Sequence, residues 1–319
     1  MLRGSAGTAL PAFLQFTAQG DAKGAARPVE FFLHILISGI ATGAIYSLIA
    51  VGYSITFSTM QILNFALGMW VMIGGMLTLT FNVMFGLDLA VTLLALIVVM
   101  ILLGIVGERV SVHPFFRAGS DVWVMSTLAV GFLFINVAEL IWGRNPEPVP
   151  PFFGDGIIAV GAFAIFPQQL LVIVSALVIF LALHLFYYRT LLGKAFRATA
   201  HSSEVTSLMG INTRLICVLS YVITSVLAGV AGFIIVPITF AEAQMGTVLG
   251  LKAFAIAIIA GLGAPRGILV CGIAYGALEG LASGYFYTGI RDILGFSLMI
   301  LVLFLRPEGL FGTPSSERA

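Results

Sequence analysis

Long, uninterrupted apolar runs constrain this chain more than any motif does. They lie at 32–57, 63–81, 87–106, 122–142, 170–188, 215–240, 268–286 and 293–305, and a helix crossing the hydrocarbon core of a bilayer needs about 20 such residues. In lipid the backbone must satisfy its own hydrogen bonds, which leaves helices or closed barrels. Barrel strands alternate apolar and polar residues with period two, whereas these runs are continuous, so helices are selected. A further run at 251–262 is short for a crossing and suits a broken or re-entrant helix. The expectation is an all-α, polytopic membrane bundle of eight or nine transmembrane segments, one of them short. Composition agrees: 60% of the 319 residues are hydrophobic and 9% charged, against about 25% charged in a soluble domain. A soluble globule is excluded, and a net charge of +1 gives no reason to expect a nucleic-acid partner.

Lys and Arg in short loops mark the cytoplasmic side. The segment 189–214 holds Arg189, Lys194, Arg197 and Arg214. The loop around Arg109, His113 and Arg117 falls on the same side if the two intervening helices each cross once. Both are placed inside, which puts the N-terminus outside and, with the short segment counted as a crossing, Arg306 and the tail inside. Residues 1–29 mix Gly, Ala, Pro and Gln with Arg3, Lys23 and Arg27 and read as a poorly ordered extension. A cleaved secretory signal is the alternative, against which the apolar stretch 9–16 is short. The membrane domain is 30–312, followed by a tail at 313–319.

Catalytic signatures are missing from the sequence. No His-Glu-x-x-His or Gly-x-Ser-x-Gly pattern occurs, and His34, His113, His184 and His201 are scattered. Gly193-Lys194 is followed by Ala195, so it is no phosphate loop, and nucleotide hydrolysis would have to come from another polypeptide. Cys217 and Cys271 lie in apolar runs without supporting ligands and read as packing residues.

Four features could carry function. Glycines cluster at Gly39, Gly43 and Gly52 and again at Gly261, Gly263 and Gly267; close helix packing explains them, and a pathway between the same helices stays compatible. The polar break 58–68 contains Asn64 and Gly68, with Asn64 read first as a group that satisfies a helix start and second as a substrate contact. Ionisable residues inside or beside spans are few: Glu139 near the outer end of one, Glu242 and Lys252 flanking the short run, and Glu279, the deepest, one turn after Tyr275. A pathway role and a helix-joining role for Glu279 are equally open. Finally, Ala195, Ala198, Val205, Leu208 and Met209 form an apolar stripe at near-helical spacing within 189–214. Lys194, Arg197, His201 and Glu204 occupy other faces, as in a pair of short amphipathic helices that docks on a cytoplasmic partner.

That segment ends in Leu208-Met209-Gly210-Ile211-Asn212 and resembles the coupling loop of ABC importer permeases of the branched-chain amino acid (LivH/LivM) type. Gly39–Gly52 with Tyr46, the run Asn64-Phe65-Ala66-x-Gly68, Lys252-Ala253-Phe254, Gly261-Leu262-Gly263 and Arg306-Pro307-x-Gly309-Leu310-Phe311-Gly312 resemble the same family, over 32–312 and closer to its LivH-like subunit. Leu67 departs from the family's usual His or Gln, and Glu308 stands where Arg is frequent. The resemblance implies a permease subunit that performs no covalent chemistry and binds no cofactor of its own. It implies a second, LivM-like permease, two ABC ATPases using ATP and Mg, and an extracytoplasmic solute-binding protein, in a bacterial inner membrane. The cargo it implies is a branched-chain or related amino acid, with urea, short amides and small carboxylates as alternatives. Gly193, Lys194, Arg197, Ala198, Glu204, Leu208 and Gly210 would couple to the ATPases; Tyr46, Asn64, Gly68, Glu139, Lys252 and Glu279 are the candidates for the pathway. An ion-coupled carrier or channel is the reading from another class.

Overall fold

A computed structural model describes residues 28–114, 122–154, 156, 158–160, 163–286 and 289–312. The apolar runs are helical: α1 (Pro28–Met60), α2 (Leu67–Thr78, extended by a π-helical turn to Met84), α3 (Leu89–Gly107, extended likewise to Val112) and α4 (Val122–Trp142). After a hairpin of β1 (Ile158–Val160) and β2 (Phe163–Ile165) come α5 (Pro167–Arg189), the short helices α6 (Leu191–His201) and α7 (Ser203–Leu208), and α8 (Thr213–Thr239). The chain closes with α9 (Met245–Ala260), α10 (Pro265–Tyr285) and α11 (Ile290–Leu305). Local chemistry sets many of the ends. Asp88, Thr190, Ser202 and Asn212 accept backbone N–H groups at the starts of α3, α6, α7 and α8, and Pro167 and Pro265 open α5 and α10.

Among the described residues seven helices are long and apolar enough to cross a membrane. The run expected at 293–305 becomes the 16-residue α11, which starts earlier and draws Arg291 and Asp292 into its first turn. The short run expected at 251–262 is α9, also of 16 residues. Lys252 therefore lies within this helix instead of flanking it, because the cation is paired there and does not interrupt the apolar surface. At about 1.5 Å per residue each of these helices is about 24 Å long, short of a hydrocarbon core of about 30 Å. The β-hairpin, with Ala159 opposite Ala164, was not anticipated. Helix α1 already includes Pro28 and Val29, while residues 1–27, 313–319 and Arg117 lie outside the described residues.

Glycines set the helix packing. Along the seam between α1 and α10, a Cβ on Gly43 would meet the Cα of Gly276 at 3.0 Å and one on Gly39 the Cα of Ala277 at 3.1 Å. The backbones themselves are in contact there, which only small residues permit. Gly68 meets Gly246 and Gly250 where α2 crosses α9, and Gly74 meets Gly229 where α2 crosses α8. The core then forms around α1, α2, α8 and α9, with Ile45, Leu48, Trp70, Tyr221 and Ile256 fully buried. Helices α4 and α5 turn Leu133, Leu140, Leu177 and Leu181 outward, as a lipid-facing surface requires.

The two loops assigned to one side meet: Arg214 Nη2 lies 2.6 Å from His113 Nε2. At another junction Glu147 and Ala241 exchange two backbone hydrogen bonds of 2.9 Å, joining the segment after α4 to the turn before α9. The C-terminal motif is structural. The N–H groups of Leu310 and Phe311 donate to the carbonyls of Ile259 and Ala260 at 2.8 and 3.0 Å, satisfying the open end of α9. Phe311 seats on Gly267, and Ser54 of α1 donates to the Leu262 carbonyl at 2.6 Å, so α1, α9, α10 and the C-terminal segment share one corner.

Candidate translocation site

Burying a charge in a bilayer costs several kcal/mol, so an intramembrane ion must bring its partner. Lys252 on α9 and Glu279 on α10 have side chains only 4% and 3% exposed, and their Nζ and Oε1 atoms are 2.6 Å apart. Helix α11 completes the neutralisation. Asp292 Oδ1 lies 2.8 Å from Lys252 Nζ, and Arg291 Nε pairs with Glu279 Oε1. Arg291 Nη2 donates to the Tyr46 hydroxyl at 3.1 Å, and that hydroxyl donates to Glu279 Oε1 at 3.4 Å. Two acids, two bases and a phenol thus join α1, α9, α10 and α11 with zero net charge.

The network is closed at one end and open at the other. Arg291 and Asp292 are 33% and 60% exposed, while Glu279 Oε2 and the Tyr275 hydroxyl are buried without a hydrogen-bond partner among the described residues. Tyr275 and Glu279 are four residues apart on one face of α10, and the Tyr275 ring meets Tyr46 edge-on at 6.2 Å. The arrangement holds four helices in one relative position, with the Arg291 guanidinium and the Asp292 carboxylate at its exposed edge.

Of the pathway candidates, Tyr46, Lys252 and Glu279 are therefore brought together, and Asn64, Gly68 and Glu139 lie apart from them. Asn64 is fully buried in the break after α1, where its Oδ1 accepts the Ala66 N–H at 3.1 Å. Asn64 Nδ2 is buried without a hydrogen-bond partner among the described residues, and Gly68 packs against Gly246 and Gly250. Leu67 packs against Gly52. Glu139 pairs with Arg144 at 2.8 Å at the end of α4. Arg291 and Asp292 were missed, although an Arg-Asp pair bordering an apolar run that also had to satisfy Lys252 and Glu279 was a usable signal.

The helices α6 and α7 form the expected amphipathic pair. Gly193, Phe196, Thr199 and Thr206 face inward, and Phe196 is fully buried against Phe186 and Tyr187. Gly193 leaves no room for a side chain against the backbone of Phe186 and Tyr187, and its N–H donates to Thr190 Oγ1 at 2.9 Å. Lys194, Arg197, Glu204 and Gly210 are exposed and Ala198 is half-buried. Leu208 and Met209 are 83% and 76% exposed, so large apolar side chains end in a protruding knob. The Phe196 anchor was missed because the apolar stripe traced in the sequence was the outward one.

The chain matches the family model for the branched-chain amino acid transport system / permease component over residues 35–303. It is 30% identical to the high-affinity branched-chain amino acid transport system permease protein BraD of Pseudomonas aeruginosa over 303 residues, covering 91% of this chain and 99% of that protein. Against the corresponding permease protein LivH of Escherichia coli K12 it is 30% identical over 302 residues, 90% of this chain and 98% of that protein. A probable LivH of Methanocaldococcus jannaschii is 26% identical over 294 residues, 87% of this chain and 92% of that protein. No solved structure matches the chain. With the match spanning the bundle, the charge network and the knob alike, this multi-pass membrane protein belongs to the permease component family of branched-chain amino acid transport systems.

Proposed function

We propose that the chain is one permease of an ATP-driven importer in a bacterial inner membrane and lines half of a pathway for branched-chain or related small amino acids. The observation that carries this reading is the α6–α7 knob, whose outward Leu208 and Met209 stand on a buried Phe196 anchor in a chain of this family. A rigid apolar projection of this kind suits a groove on a separate protein. That protein is the ATPase pair, which supplies ATP and Mg chemistry, while an extracytoplasmic binding protein delivers cargo and a second permease completes the pathway.

Closure of the ATPases displaces α6 and α7 and biases the bundle between two packings. The network of Tyr46, Lys252, Glu279, Arg291 and Asp292 stabilises one of them. Reconstitution tests the reading. The chain should co-purify with a second permease and two ATPases, and proteoliposomes holding the assembly with its binding protein should accumulate leucine only when ATP is supplied. Leucine movement by the purified chain alone down an ion gradient would replace this reading with a secondary carrier.

A further inference from the structure

A cavity of about 520 Å³ lies between α1, α5 and α10, under α6. Its interior is apolar, with Ile55, Leu177, Phe180, Leu181 and Leu269 among its lining residues. Leu177 and Leu181 are 49% and 59% exposed on the outer surface of α5, so the slot communicates with the lipid-facing side of the bundle. Its rim is cationic. Arg197 of α6 and Arg266 of α10 both lie over the Tyr188 ring, with Cζ at 4.8 and 5.3 Å from its centroid. Neither guanidinium makes an ion pair among the described residues. Tyr188 is in the last turn of the spanning α5 and Arg266 in the first turn of the spanning α10, which puts this rim at the level where a span meets the aqueous interface.

Two exposed guanidiniums on one aromatic ring, with no ion pair among the described residues, make the rim locally cationic, and such a rim attracts an anion. An apolar slot directly beneath them requires that anion to carry a hydrocarbon chain. We infer that the slot between α1, α5 and α10 binds an anionic phospholipid, its phosphate held by Arg197 and Arg266 and one acyl chain lying along Leu177, Leu181 and Leu269. The bilayer leaflet on the basic side supplies such lipids. The bound lipid links the exposed α6 to α10, the helix that carries Glu279, so membrane composition would influence how tightly the knob and the buried network move together.

The test is native mass spectrometry of the full chain, alone and in its purified complex, after exchange into phosphatidylglycerol or phosphatidylcholine with identical acyl chains. Retention of one phosphatidylglycerol at least fivefold above phosphatidylcholine is expected. Arg266→Gln should lower phosphatidylglycerol retention about fivefold, the effect of one basic contact at a membrane surface. Leu269→Trp, which fills the slot, should lower retention of both lipids alike, and Arg109→Gln, remote from the slot, should change neither. Equal retention of the two lipids by the wild-type chain overturns the inference, and this comparison decides the matter even if a variant fails to fold. So does loss of all bound lipid in the assembled complex, which would mean that a partner subunit covers the slot.

Discussion

Among the described residues arginine meets tyrosine in two places, under opposite conditions. At the buried network Arg291 donates to the Tyr46 hydroxyl and pairs with Glu279, so its charge is neutralised by the chain itself. At the membrane interface Arg197 and Arg266 lie over the face of Tyr188, and neither makes an ion pair among the described residues. The difference follows from solvent. In the bundle an unpaired ion is costly, and Lys252 and Glu279 are paired with each other and with Asp292 and Arg291, whereas at the interface water screens the cations until something else binds. The first arrangement holds helices to one another; the second leaves a surface addressed to other molecules.

The comparison can be broken most severely at Glu279. Glu279→Ala removes the shared acceptor of Lys252 and Arg291 and leaves Lys252 buried with only the half-open Asp292. The expected loss is about 3–5 kcal/mol, seen as a collapse of folded yield and of thermal stability in detergent. Glu279→Gln keeps the shape without the charge, and unchanged assembly and flux in that variant would show that the charge is dispensable. Gly43→Leu comes next, since it drives a side chain into the α10 backbone and should cost about 1–3 kcal/mol, read as a lowered unfolding midpoint. At α6 and α7 the effect should change in kind. Gly193→Leu and Leu208→Asp alter α6–α7 and are expected to cut ATP-dependent uptake at least tenfold, with binding of cargo to the extracytoplasmic protein untouched. Leu208→Asp should also leave the melting temperature of the chain within about 1 °C, because a substitution away from packed features typically stays within about 0.5 kcal/mol. The smallest change is expected for Asp292→Asn. A carboxylate 60% exposed contributes about 0–1 kcal/mol as a pair, so a large destabilisation there would show that the network is drier than its open end implies.

Much of this was legible in the sequence because lipid imposes so few solutions. Run length located the spans, and polar spacing located α6 and α7. Burial within the membrane was less legible. Helices α1 and α9 are apolar on every face, so periodicity could not reveal which side of them faced the core. Lys252 was read as an edge of a segment because a lone cation usually ends an apolar run, and only the tertiary pairing with Glu279 and Asp292 shows why this one does not. The contact of Asn64 with the Ala66 N–H was legible, since a short amide side chain at a break has a backbone N–H within reach. Phe196 was not, because one aromatic residue among small and polar ones carries no period of its own.

The strand-like contact of Leu310 and Phe311 with the end of α9 has a consequence for biosynthesis. The translocon releases helices into the bilayer in the order in which the ribosome makes them, yet the carbonyls of Ile259 and Ala260 find these partners only after synthesis has passed Phe311. The open end of α9 therefore cannot be sealed before the C-terminal segment is made, and a nascent chain halted after α11 would leave those two carbonyls without these partners.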